Sequence, residues 1–125
     1  MPESSDAAPG RTDAVQVQLA RLRRKFGLAL PAKVSAIDSA FAPILQGPWS
    51  EEAANAAYRP IHSLAGSSGT YGFPEISALA RSIEALIKES LDSRAILPDP
   101  QSARVADLMA RIRELAAEAA RRESA

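Results

Sequence analysis

The chain contains no cysteine, which excludes a disulfide framework, a thiol nucleophile and any cysteine-ligated metal site. It has no excess charge of either sign, since Lys plus Arg and Asp plus Glu both number 15. No overall field therefore favours nucleic acid or an anionic membrane. No apolar run approaches membrane-spanning length. The opening stretch MPESSDAAPG is polar and acidic and has no hydrophobic signal core, so a cytoplasmic protein is expected. A Gly-rich nucleotide loop is missing too, which excludes a kinase that loads itself. Aromatic residues are few, three Phe, two Tyr and one Trp, and the abundant alanine suits helices packed closely through small side chains. Histidine is reduced to one, His62.

What is present is helical periodicity. Residues 1–12 carry Pro, Ser, Gly and Asp without a period and read as a disordered tail. Val15, Leu19, Leu22 and Phe26 follow at steps of four, three and four, predicting a helix over 13–27 that stops at Gly27. A second helix is expected from Pro31, with Val34, Ile37, Phe41 and Leu45 inward and Pro43 kinking or ending it. Ser50 is placed to cap a third, with Glu51 and Glu52 in its first turn. Its inward stripe is Ala54, Ala57, Tyr58, Ile61, Leu64 and Ser68, and Pro60 is expected to kink it. Gly72 and Pro74 close the third helix and open a fourth, with Ile76, Leu79, Ala80, Ile83, Leu86 and Ile87 inward. A fifth carries Val105, Leu108, Met109, Ile112, Leu115, Ala116 and Ala119. Short connections between such long amphipathic helices predict an all-α fold, an antiparallel bundle. Residues 13–122 together make one domain.

His62 falls off the core stripe, on the face Asn55, Arg59, His62, Gly66 and Gly69. If the third and fourth helices form a hairpin turning near Phe73, residues equidistant from the turn meet, because both rise about 1.5 Å per residue. His62 then faces Glu84, Ala65 faces Arg81 and Tyr58 faces Lys88. A carboxylate accepting one ring N–H holds the other nitrogen unprotonated and ready to attack. It also offsets the positive ring formed when a phosphoryl group arrives, and nearby cations balance the incoming phosphate. Gly66 and Gly69 leave this face bare for another protein's backbone.

HSLAGSSGTYGF followed by LARSIEALIKE resembles the histidine-containing phosphotransfer (HPt) domain of multistep phosphorelays. His62, Leu64, Gly66, Ser67, Ser68 and Gly72 match the family's pattern. The resemblance implies an antiparallel up-down four-helix bundle over 31–122 with 13–27 as an additional N-terminal helix. It also implies a phosphocarrier rather than a turnover enzyme, in which His62 accepts a phosphoryl group from a receiver-domain aspartate and passes it to another. Its implied partners are response-regulator receiver domains and a hybrid histidine kinase, with docking through Ala65, Gly66, Ser67 and Gly69 and apolar help near Ile44 or Trp49. The lysine common three residues after the histidine is Ala65 here. Arg81 is expected to supply the missing charge, with Arg59 or Lys88 as substitutes.

No cofactor and no metal are expected, since ligand spacing is absent and any Mg²⁺ falls to the receiver. A monomer without nucleic-acid or membrane partners follows. Two rivals remain: a receiver-binding adaptor of the same fold whose histidine is never phosphorylated, and a DNA-binding helical protein. Neutral charge and a mostly apolar fourth helix disfavour the second.

Overall fold

The computed structural model describes the side chains of residues 13–125, so the packing of the tail expected over residues 1–12 lies outside the described residues. Four helices occur, α1 (Pro2–Gln46), α2 (Glu51–Thr70), α3 (Pro74–Ser93) and α4 (Asp99–Ser124), and no strand is present among the described residues.

The break expected at Gly27 does not occur. Phe26, Leu30, Val34, Ile37, Phe41 and Ile44 are all buried. Their steps of four and three carry one apolar stripe across both Gly27 and Pro31. A glycine costs about 1 kcal/mol and an interior proline about 3 kcal/mol in a helix. Burying large apolar side chains contributes roughly 1.5–3 kcal/mol each, so the continuous stripe wins. Pro31 and Pro43 both sit on the exposed side of α1. Gly27 is a packing contact instead of a stop: a Cβ there would stand 3.0 Å from Glu123 Cγ and 3.3 Å from Phe73 Cζ. The two helices expected over 13–27 and from Pro31 are therefore one.

The first turns differ as well. Val15 and Leu19, expected inward, are 54% and 41% exposed. Glu123, next to the last residue of α4, already lies level with Gly27, so α4 does not run alongside these earlier turns. Within Asp13–Gln46 an 18-residue window is long and apolar enough to cross a membrane by length and composition, contrary to the sequence expectation. Alanines and the core stripe raise its hydropathy, and that stripe is buried where α1 packs on α2 and α4.

The remaining elements follow their local signals. Ser50 caps α2, its side chain accepting from the Ala53 N–H at 3.1 Å. The helix continues through Pro60, with Ile61 fully buried just beyond it. Gly72 takes φ +88° in the turn to α3, a left-handed conformation that costs any other residue about 1–2 kcal/mol. Pro74 opens α3 and Arg94 closes it at φ 55°.

Each helix packs on two neighbours, α2 on α3, α1 on α4, α3 on α4 and α1 on α2. Ser77 Oγ donates to the Ala65 carbonyl at 2.7 Å between α2 and α3. Arg113 and Asp38, 2.6 Å apart, tie α4 to α1. Leu30, Val34, Ile61, Ile83, Ile87, Val105, Met109 and Ile112 fill the centre.

Candidate functional site

Residues three or four apart share a helix face, and on α2 that rule separates structure from chemistry. Ile61 and Leu64 turn inward and are 0% and 4% exposed, while His62 between them keeps 64% of its side chain in solvent. Across the hairpin Ile83 is fully buried, and Glu84 stands at the rim with its side chain 17% exposed. His62 Nδ1 lies 2.6 Å from Glu84 Oε2. The register argument predicted that meeting, and it depends only on two helices rising equally from one turn.

A third side chain joins them. The Tyr58 hydroxyl donates to the same oxygen, Glu84 Oε2, at 3.1 Å. The Tyr58 ring lies nearly parallel to the imidazole, centroids 5.9 Å apart and planes inclined by 13°. Sequence reasoning had counted Tyr58 with the core stripe. The available signal was its place one turn before His62, where a phenol reaches what the imidazole reaches.

Burial alone would raise the Glu84 pKa. The hydrogen bonds from His62 and Tyr58, with the charges of His62 and Arg81, outweigh burial and hold it below the ordinary carboxylate value. Glu84 is therefore an anion at neutral pH. Tyr58 shifts the other way: its bond to Glu84 first, then burial and the neighbouring charges of Glu84 and Asp92, raise its pKa. It stays a donor. A carboxylate accepts only, so Nδ1 carries the proton, and in the neutral ring Nε2 is the nitrogen left with the lone pair.

The other expected residues divide. Arg81, one turn before Glu84, is exposed and acts on it through charge. Lys88 is exposed, its Nζ 3.8 Å from Asp92, four residues further along α3. Arg59 is exposed and borders a shallow depression with Glu51, Glu52 and Asn55.

Ala65 is fully buried and does not belong to the exposed face expected of it. It lies where α2 meets α3, its carbonyl bonded to Ser77, so it does not stand open opposite Arg81. Gly69 faces the same residue, since a Cβ there would come within 3.3 Å of Ser77 Oγ. Its lack of a side chain serves helix approach. Gly66 is different: it is exposed, and a Cβ would meet nothing within 4 Å. Ser67 is half-buried and borders an open cleft of about 390 Å³ between α1 and α2, lined also by Phe26, Lys33, Ile37, Pro60 and Ser63. Ile44 is buried, and the half-buried Trp49 lies under the Arg94 guanidinium at 4.8 Å. Neither supplies the exposed apolar contact expected there.

Among the described residues no group of three or more His, Asp or Glu side chains is arranged to hold a metal ion. Chemically, the site offers an imidazole open to solvent and a sheltered carboxylate able to balance positive charge on the ring.

The family model of the Hpt domain matches residues 14–121. No curated protein and no solved structure matches the chain.

Proposed function

This chain belongs to the Hpt domain family, and on that premise we propose that it is a cytoplasmic phosphorelay intermediate, an antiparallel up-down bundle that carries a phosphoryl group on His62. A phosphorylated receiver domain docks over the His62 face. Nε2 attacks the phosphorus of its aspartyl phosphate in line. The N–P bond forms, the P–O bond to the aspartyl carboxyl breaks, and its electron pair leaves with the receiver's carboxylate. The Nδ1 proton stays on the ring, which becomes a cation facing Glu84. Transfer to a second receiver reverses these steps. Such a carrier does not turn over a substrate, and Mg²⁺ belongs to the receiver.

One observation carries the reading: an exposed imidazole bonded through Nδ1 to a carboxylate whose pKa is lowered. Arg81 is the cation best placed to meet phosphoryl oxygens, with Arg59 on the other side. Lys88, engaged by Asp92, contributes less. Docking uses Gly66 and the α1–α2 cleft beside Ser67, with Gly69 at the margin, and Ala65 stays beneath the surface. The partners are receiver domains and a hybrid histidine kinase. The carrier works as a monomer, without nucleic acid or membrane.

The test is incubation with a phosphorylated receiver. An acid-labile, alkali-stable phosphate should appear on the protein and vanish in His62→Gln. A protein that binds the receiver and takes no phosphate would be an adaptor.

A further inference from the structure

Packing does not explain the hydroxyl of Tyr58. The ring rests half-buried against the core, and a phenyl group would cover the same surface. The phenolic oxygen's hydrogen bond goes to Glu84 Oε2, the atom that also accepts from His62 Nδ1. A glutamate reaches its partner through several rotatable bonds, and holding it still costs up to about 2 kcal/mol of rotamer freedom. One bond, to an imidazole that must itself be held, leaves that carboxylate free to swing. A second donor on α2, one turn earlier, ties it down. The nearly parallel rings, centroids 5.9 Å apart, restrain the imidazole on its other degree of freedom, rotation about its own axis.

We infer that Tyr58 is a positioning residue for His62: its hydroxyl anchors the Glu84 carboxylate that holds Nδ1–H, and its ring braces the plane of the imidazole. The inference rests on the reading of His62 as the phosphoryl acceptor and names what aims its Nε2. When the ring becomes a cation, the same carboxylate already faces it. The charged groups around this trio are Arg59 on α2 and Arg81, Lys88 and Asp92 on α3.

Tyr58→Phe keeps the ring and deletes the hydroxyl, and Tyr58→Leu deletes both. Long-range ¹H–¹⁵N spectra of the full chain report the tautomer of its one histidine, with no phosphate present. In the wild type the Nδ1–H form should dominate. In Tyr58→Phe the Nε2–H form should gain population. Acceptance of phosphate from a receiver should slow roughly three- to tenfold, the effect of one lost hydrogen bond, and further in Tyr58→Leu. A tautomer ratio identical to wild type in Tyr58→Phe would overturn the inference, since a packing role leaves it unmoved. If no variant, nor the wild type, takes phosphate, the carrier reading fails. The spectra still decide the role of Tyr58.

Discussion

His62 and Glu84 stand 22 residues apart in the chain and 2.6 Å apart at Nδ1 and Oε2. Their pairing converts an ordinary surface histidine into one with a defined tautomer. The carboxylate is sheltered and the imidazole exposed, at 17% and 64% of their side-chain surfaces. On the proposed carrier reading, the charge that must persist is thus protected, and the ring that must react is not.

Replacing Glu84 with Gln keeps the volume and removes the charge. A charge-assisted hydrogen bond contributes about 1.5–3 kcal/mol, so phosphoryl acceptance should fall roughly tenfold or more. The pH dependence of folding gives an independent measure. Because the Glu84 pKa is lowered in the folded protein, its contribution to stability is complete above the unfolded carboxylate value of about 4.3. That contribution is lost as pH falls through the folded value. Denaturant midpoints measured from neutral to acid pH should decline less in Glu84→Gln than in the wild type. Parallel declines would remove Glu84 from the linkage.

Gly66 is open on every side within the chain. Gly66→Ala should raise stability by about 0.5–1 kcal/mol through helix propensity alone. Gly66→Trp should fold as well as the wild type and slow transfer from a receiver, because its bulk would occupy the docking surface. A tryptophan variant with unchanged transfer kinetics would show that the receiver approaches elsewhere.

Ala65 occupies the position where the family commonly carries lysine, and here it is fully buried. Ala65→Lys should therefore destabilise the protein, by about 1–3 kcal/mol for a polar group forced into an apolar contact. Thermal denaturation reads this as a Tm lowered by several degrees. A variant of unchanged Tm and longer phosphohistidine lifetime would mean that residue 65 reaches the surface after all.

Much was legible in local pattern. The stripes of α2, α3 and α4 repeat at three and four, and Ser50, Gly72 and Pro74 mark their ends. The facing of His62 and Glu84 followed from arithmetic about one turn. Misreadings arose where a residue's role depended on its neighbour in space. Gly27 and Pro31 look like punctuation until Leu30 is seen fully buried between them. Val15 and Leu19 are spaced like core residues, yet α4 ends before reaching them.

By itself, the sequence determined that the protein is helical, which faces of α2, α3 and α4 turn inward, and that its single histidine lies off the core stripe. These are consequences of periodicity and capping, which act within one or two turns. Only tertiary structure decided that α1 is one helix, that Ala65 is covered while Gly66 is open, and that Tyr58 shares an oxygen with His62. Periodicity states which way a side chain points. What it meets depends on the separation and length of the helices packed against it, and no local pattern encodes those distances.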